Sequence, residues 1–184
     1  MNYKCELGKL VSTIKRIENY FEKEYIKSKF KAIGNNVYIG NNCVFTENTI
    51  SIGNDVYIGN GCCFQSKHGE IEIGNHIMFG PGVHIHGGDH DFRKIGKYIR
   101  DNSKARNADG KVRIEDDCWI GANAIILKRV RIGKGTIIGA GAIVTKDIPE
   151  YSIYIGHSNQ RIMKRFNEDE IKAHQEILKK KGGQ

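Results

Sequence analysis

The sequence predicts an all-β fold, a parallel β-helix in which six-residue repeats form the successive turns of the chain. From Ile114 to Val144 an aliphatic residue returns at every sixth position, the second position is usually Gly, and the fifth is small or β-branched. A period of six fits neither an amphipathic helix nor hairpins, whose turn signals recur about every 8–12 residues. The aliphatic positions are Ile114, Ile120, Ile126, Ile132, Ile138 and Val144.

The repeat also predicts where each side chain points. Three hexads make one triangular coil, whose opening aliphatic residues and small fifth residues face the interior of the prism. Cys43, Cys62 and Cys118 occupy the fifth position, so we expect them to pack in the core as small hydrophobic residues. Cys63 should face outward. Gly and Asn recur at the corners, where they tolerate backbone angles that other residues resist.

A helix is predicted for residues 1–30, ahead of the first coil. Its apolar residues fall at three- and four-residue spacing, on one face: Leu7, Leu10, Val11, Ile14, Ile17 and Phe21. We expect this helix to pack against the first coil and cover its open end, because terminal repeats need covering. The alternative is that the helix forms one wall of an acceptor pocket.

The β-helix itself is predicted for residues 31–165, with one extra residue at Ser51 and a long interruption at about residues 86–112. An insertion that leaves the repeat and rejoins it must form an extruded loop, and such loops often gather on the binding face. Val83 and Ile85 occupy inward positions, so His84 and His86 face outward.

Beyond the β-helix, residues 166–184 are predicted to form a short helix and a tail. Asn167 is a suitable N-cap, and Glu170 follows three residues later, as in a capping box.

The composition narrows the class of ligand. The net charge of +8 and pI near 9.2 favour anionic partners. The sequence has neither a recognition helix nor an aromatic-basic stacking motif, which favours a phosphate-bearing small molecule over nucleic acid. Its apolar runs are too short to span a bilayer, and its start lacks the apolar region of a signal peptide. We therefore expect a cytoplasmic protein without membrane insertion.

Three kinds of function fit these residues. Acyl transfer from coenzyme A to a hydroxyl needs a histidine base, a backbone N–H for the thioester oxygen and cations for the phosphates. The corner around Gly121 and Ala122 is a candidate for that N–H. Metal chemistry is the second possibility, because His84, His86 and His90 lie within seven residues and three histidines bind zinc in some β-helix enzymes. The third is a repeat scaffold or a sugar-binding module without chemistry.

Four segments together resemble the hexapeptide-repeat acetyltransferases over about residues 31–165. They are the hexads, the loop start Gly87-Gly88-Asp89-His90-Asp91-Phe92, the segment Asp117-Cys118-Trp119-Ile120-Gly121-Ala122-Asn123, and Ile138-Gly139-Ala140-Gly141 continuing through Val144-Thr145-Lys146-Asp147-Ile148-Pro149. The branch that the chain resembles most is that of the sugar O-acetyltransferases, which act on galactosides, maltose, nodulation factors, capsule or lipopolysaccharide.

The resemblance implies a left-handed β-helix, a homotrimer with sites between neighbouring prisms, and acetyl-CoA as co-substrate with no permanently bound cofactor or metal. In the family pattern His90 matches the general base, and the backbone N–H of Ala122 faces the thioester oxygen. Trp119 matches an aromatic residue that lines the site near the pantetheine arm and the acceptor. The remaining cofactor-binding matches are Ala140, Thr145, Lys146, Arg161 and Lys164.

The acceptor is less well defined by the resemblance. Galactoside enzymes carry an acceptor-binding Asn and Asp upstream of the base, and the matching segment here, residues 63–68, has neither. His68 lies in that segment, and with His84, His86 and Trp119 it is a predicted substrate-binding residue. We expect a hydroxyl of a sugar or of a cell-surface polysaccharide unit as the acceptor. The alternatives are an amino or nucleotide sugar acetylated on nitrogen, a zinc enzyme like γ-carbonic anhydrase, and a non-catalytic sugar-binding scaffold.

Overall fold

The computed structural model describes residues 3–90, 100, 109–156, 161–164 and 166–181. They form a left-handed parallel β-helix with a helix at each end. Helix α1 spans Tyr3–Ser28, α2 spans Glu168–Lys181, and a 3₁₀ turn covers Glu47–Thr49.

The strands form three sheets, one for each side of the prism. Sheet A contains β1 (Ala32–Ile33), β4 (Ile50–Ile52), β7 (Ile71–Ile73), β10 (Val112–Ile114) and β13 (Arg131–Ile132). Sheet B contains β2 (Tyr38–Ile39), β5 (Tyr57–Ile58), β8 (Met78–Phe79), β11 (Trp119–Ile120), β14 (Ile137–Ile138), β16 (Ser152–Ile155) and β17 (Arg161–Lys164). Sheet C contains β3 (Val44–Phe45), β6 (Cys63–Gln65), β9 (His84–His86), β12 (Ile125–Leu127) and β15 (Ile143–Val144).

The register confirms the six-residue repeat. Ile120 lies opposite Phe79 on one side and Ile138 on the other, so the opening residues stack into a column inside the prism. Phe64 stacks between Phe45 and Phe79, with ring centroids 5.5 and 5.0 Å away. Burial of these columns is the main source of stability, because each fully buried aliphatic or aromatic side chain contributes roughly 1.5–3 kcal/mol.

The inward cysteines are also confirmed. Cys62 and Cys118 are buried, and Cys43 is half-buried and packs against the core. Cys63 lies on the outer surface of sheet C, half-buried.

The three outer faces of the prism differ in chemistry. Sheet A carries ion pairs between neighbouring coils, such as Arg113–Glu72 at 2.9 Å and Arg131–Glu115 at 2.8 Å. Sheet B presents a column of half-exposed apolar side chains, Tyr38, Tyr57, Met78 and Trp119. Sheet C presents His84 and aliphatic residues such as Ile143. The outer faces of sheets B and C are therefore suited to contact with another protein, and the charged face of sheet A is suited to contact with water.

The prediction for α1 is only partly right. Its last turns reach the first coil, where Ile26 packs against the core and Lys23 lies over the Tyr38 ring at 5.4 Å. The apolar face does not cover the coil, however, because all six of its predicted residues are exposed. The helix contacts the prism through its polar side, which three-and-four spacing alone does not predict.

The C-terminal region contains one strand that the repeat pattern did not predict. Strand β17 runs antiparallel to β16 and occupies the free edge of sheet B. Pairing satisfies backbone groups that the last coil would otherwise expose. The predicted capping box of α2 is confirmed: the Asn167 side chain accepts from the Glu170 N–H at 2.9 Å, and Glu170 accepts from the Asn167 N–H at 2.8 Å.

No helix among the described residues combines the length and the apolar character needed to cross a bilayer.

Candidate active site

The corner between β11 and β12 contains two of the predicted site residues. Trp119 lies on the outer surface of sheet B, is 51% exposed, and occupies one row with Met78 and Ile137. Ala122 follows in the turn that leads to sheet C. Asn123, the next residue, has a left-handed φ of 57°, and the turn closes with a bond from the Ala124 N–H to the Gly121 carbonyl at 3.2 Å.

A ladder of side-chain acceptors satisfies the backbone N–H groups at the corner between sheets A and B. The Asn35 N–H donates to Asn54 Oδ1, the Asn54 N–H to Asn75 Oδ1, and the Asn75 N–H to Asp116 Oδ1, each at 2.8 Å. Each coil therefore uses the Asn or Asp of the next coil as its acceptor.

The corner between sheets B and C begins the same ladder but does not continue it. The Asn41 N–H donates to Asn60 Oδ1 at 2.8 Å, but the equivalent residues of the following coils are Pro81, Ala122 and Ala140. None of these three side chains can accept a hydrogen bond. The Ala122 carbonyl accepts from Gly141 at 2.8 Å, whereas the Ala122 N–H donates to no acceptor in the described part of the chain. This leaves a backbone donor beside Trp119, as an oxyanion site requires.

His90, the predicted base, is exposed near the start of the interrupted segment. The segment leaves sheet C after β9 and is held at its base by a hydrogen bond from the Gly110 N–H to the Gly87 carbonyl, 2.8 Å. Asp89, adjacent to His90, forms an ion pair with Lys128. Residues 91–99 and 101–108 of the predicted loop lie outside the described residues.

The other predicted histidines are found on or beside sheet C. His84 and His86 face outward as expected, half-buried, with ring centroids 5.6 Å apart. Burial, with a smaller effect of the neighbouring His84, lowers the pKa of His86, so its neutral form is favoured. His68 is exposed, and its N–H donates to Asp109 Oδ2 at 2.8 Å. Among residues 3–90, 109–156 and the other described positions, no three His, Cys, Asp or Glu side chains are grouped to hold a metal ion.

The predicted cofactor-binding residues fall at different edges. Ala140 lies one coil beyond Ala122 at the same corner, and Lys164 is exposed on β17 at the end of sheet B. Thr145 and Lys146 are exposed and follow β15, so they lie at the corner between sheets C and A. The backbone of Arg161 belongs to β17, but its side chain is outside the described part of the structure.

Within one chain these residues form two groups at opposite edges of sheet C. His84, at the start of β9, lies opposite Ile125, just after the Ala122 corner, whereas His86 lies opposite Leu127 at the far end. The chain continues from that far end to His90. The predicted base and the predicted N–H donor are thus separated by the width of a sheet in a single protomer.

Two features of this region were not predicted from the sequence. The Asp89–Lys128 ion pair joins residues that are close only after the coils stack. The Ser66 hydroxyl is buried near Gly87 and hydrogen-bonds to no group in the described structure. The position of Ser66 in an irregular segment gave no signal of its burial.

Comparisons with known proteins agree with the predicted repeat. The family model described as bacterial transferase hexapeptide (six repeats) matches residues 111–146, and the hexapeptide repeat of succinyl-transferase matches residues 32–63. Galactoside O-acetyltransferase of Lactococcus lactis is 38% identical over 109 residues, which are 57% of this chain and 48% of that enzyme. The match therefore spans about half the length of this curated relative.

Solved structures of acetyltransferases also resemble this chain. A maltose O-acetyltransferase from Clostridium difficile 630 is 27% identical with a TM-score of 0.66, over 79% of this chain and 75% of that one. A hexapeptide-repeat acetyltransferase of Vibrio cholerae, solved with acetyl coenzyme A, shares the fold at 23% identity with a TM-score of 0.68, over 82% of this chain and 79% of that one. The resemblance to the sugar O-acetyltransferase branch is thereby confirmed.

Proposed function

We propose that this hexapeptide-repeat protein, similar to the sugar O-acetyltransferases, transfers an acetyl group from acetyl-CoA to a hydroxyl of a sugar or cell-surface polysaccharide unit. One observation carries the proposal. At Ala122 the ladder of corner acceptors is replaced by residues that cannot accept, so one backbone N–H beside Trp119 is left for a ligand. A preorganised N–H of this kind stabilises the negative charge that develops on a thioester oxygen.

The reaction would proceed by direct attack. His90 accepts the proton of the acceptor hydroxyl while its oxygen forms a bond to the acetyl carbonyl carbon. The carbonyl oxygen becomes an oxyanion that accepts from the Ala122 N–H. The carbon–sulfur bond then breaks, and the coenzyme A thiolate leaves and takes the proton held by His90. The products are the acetyl ester and the free thiol of coenzyme A.

An acyl-enzyme on cysteine is the chemical alternative, and the thiols in the described structure do not favour it. Burial raises the pKa of Cys118 to about 12, and burial also raises the pKa of Cys63, the cysteine nearest His84 on sheet C. The neighbouring Cys62 thiol lowers the pKa of Cys43, but Cys43 lies in the first coil, three coils from Ala122. The thiolate is the reactive form.

The complete site would form between copies in a homotrimer. Sheet B and sheet C each present apolar side chains, whereas the strands of sheet A carry ion pairs between neighbouring coils. Two different faces on each protomer suit a head-to-tail contact, which closes into a ring when the rotation allows. Packing sheet C of one copy near sheet B of the next would bring His90 of one protomer towards the Ala122 corner of its neighbour. Because acetyl-CoA is a cytoplasmic metabolite, the same proposal assigns the protein to the cytoplasm.

The coenzyme would extend from Trp119 past Ala140, and the cations Lys146, Arg161 and Lys164 would meet its phosphates. Charge-assisted hydrogen bonds contribute about 1.5–3 kcal/mol each. Lys146→Gln and Arg161→Gln should therefore each raise the KM for acetyl-CoA about 10-fold or more, while kcat changes less than threefold, since such contacts are similar in ground and transition states. Initial-rate kinetics test this.

Lys134→Gln is the matched control for the cation substitutions. Lys134 follows β13 at the charged sheet A, so its replacement should leave the KM unchanged. A fall in kcat at constant KM for Lys146→Gln would contradict a phosphate-binding role.

The proposed reaction is tested by thiol release from acetyl-CoA with a panel of sugars, amino sugars, nucleotide sugars and polysaccharide fragments. We expect acceptor-dependent release and a product 42 Da heavier by mass spectrometry, a mass set by the acetyl group itself. An ester is cleaved by hydroxylamine and an amide is not, which separates O- from N-acetylation. Absence of release with every acceptor would favour a sugar-binding scaffold, and activity that depends on stoichiometric zinc would favour the metal hypothesis.

A further inference from the structure

Helix α1 leaves a long apolar face unpaired. Its 26 residues extend roughly 39 Å at about 1.5 Å per residue, longer than its contact with the first coil. The large apolar side chains on this face are 45–78% exposed: Tyr3, Leu7, Leu10, Val11, Ile14, Ile17, Phe21 and Tyr25. Monomeric proteins rarely expose so large a continuous apolar surface.

The contact with the β-helix uses the opposite side of α1. The residues of α1 nearest the first coil include Asn19, Lys23 and Ile26. At about 100° per residue, Asn19 and Lys23 lie about 140° and 180° around the helix from Ile14. The polar side of the last turns of α1 therefore faces the first coil, and the apolar side of the helix points away from the prism.

The spacing of the apolar residues is that of a coiled coil. Six positions follow one another at intervals of four, three, four, three and four residues: Tyr3, Leu7, Leu10, Ile14, Ile17 and Phe21. This is an a/d heptad pattern, with Leu7, Ile14 and Phe21 at a and the others at d. The narrow stripe suits the groove of another helix.

The flanking charges favour another copy of α1, in antiparallel orientation. A symmetric antiparallel pair that places Leu7 opposite Ile17 and Leu10 opposite Ile14 also places Lys4 opposite Glu18, twice. Lys4 and Glu18 are both exposed, and neither forms an ion pair within the described chain. A parallel pair would set Glu18 against Thr13 and give no such contact.

The same charges disfavour a lipid surface as the partner. Helices that lie on membranes carry Lys and Arg beside a wide apolar face. Here Glu18 lies about 40° from the centre of the stripe, at 100° per residue, where it would enter the headgroup boundary. In a helix pair the same position remains at the solvated edge.

We propose that α1 is an assembly element: it pairs antiparallel with α1 of a second copy of this chain and joins two β-helix units back to back. Because each copy contributes the same apolar stripe, the contact is isologous and has twofold symmetry. This contact is separate from the apolar faces of sheets B and C. It therefore does not depend on acetyl transfer.

The test is the mass of the full-length protein in solution, by sedimentation equilibrium. Ile14→Glu places a charge in the centre of the seam of both copies and should raise the dissociation constant of the paired state about 100-fold or more, halving the mass at micromolar concentration. Ser12→Glu is the matched control, because it adds the same charge on the exposed opposite side of α1, and it should keep the wild-type mass. Equal masses for wild type and Ile14→Glu would overturn the proposal.

A charge exchange tests the orientation. Lys4→Glu and Glu18→Lys should each weaken the pair, and the double variant should restore it, because the two charges meet only in the antiparallel register. Failure of the double variant to recover would overturn the antiparallel arrangement.

A vesicle assay tests a lipid surface as the partner. If the wild type sediments with phosphatidylserine vesicles, and Ile14→Glu no longer does so while its mass in solution is unchanged, the apolar stripe binds a membrane instead of a second helix. Far-UV circular dichroism checks that each variant retains its fold.

Discussion

Replacing His90 with Ala should lower kcat for acetyl transfer by about 10²–10⁴-fold, the usual contribution of a general base. The physical reason is that a neutral sugar hydroxyl is a poor nucleophile until a positioned group accepts its proton. His90 is exposed and follows the far end of β9, so the β-helix core does not depend on its side chain. The unfolding midpoint and the solution mass should therefore be unchanged. Steady-state kinetics and thermal unfolding measure both quantities.

His76→Asn is the matched control for this substitution. His76 is also an exposed histidine, but it lies at the corner between sheets A and B, where its φ of 56° is one that Asn tolerates. The His76→Asn variant should retain full kcat. Wild-type turnover in His90→Ala would remove His90 from the reaction, and an equal loss in His76→Asn would point to a general effect of losing a surface histidine.

Most of the fold could be predicted because a six-residue period leaves one packing solution. The columns of Ile120 and its neighbours, the inward cysteines and the outward His84 and His86 all follow from which positions face the interior of a triangular coil. Position in the hexad determines burial, so each residue could be assigned without knowledge of distant contacts.

The remaining features depend on which residues stack in space. The orientation of α1 could not be predicted, because its three-and-four spacing shows that one side is apolar but not which side meets the prism. The absence of an acceptor for the Ala122 N–H could not be predicted from the sequence either. It depends on Ala140, which occupies the next equivalent corner only when an 18-residue separation in sequence becomes a pair of neighbouring coils.

The stacked corners also supply a sharp test of the Ala122 N–H. Pro81 occupies the equivalent position one coil earlier, between Gly80 and Gly82, in a turn with the same left-handed second residue. Pro81 N lies 2.7 Å from the point where a Cβ on Gly59 would be, and Ala122 N lies 2.6 Å from the same point on Gly80. The backbone nitrogen at this corner therefore packs against a glycine in both coils, so Ala122→Pro should fit the backbone that Pro81 already adopts.

The variant would remove one N–H and little else. No hydrogen bond within the described structure is lost, because that N–H donates to none, and a proline in a compatible conformation stabilises the fold by about 0.4–1 kcal/mol. The loss of one oxyanion donor should lower kcat about 10²–10³-fold. Ala122→Pro should thus be as stable as the wild type or more stable, and much less active, a combination that a merely structural role for this corner cannot produce.

Ala122→Ser keeps the N–H and adds only a hydroxyl, so it separates the loss of the donor from a change in side chain. We expect it to retain kcat within about tenfold of the wild type, since the donor that accounts for the 10²–10³-fold effect remains. Full kcat in a folded Ala122→Pro would show that the thioester oxygen is stabilised elsewhere. A lower unfolding midpoint in Ala122→Pro would show instead that the corners at 81 and 122 are not equivalent, and the kinetic loss would then follow from a distorted coil.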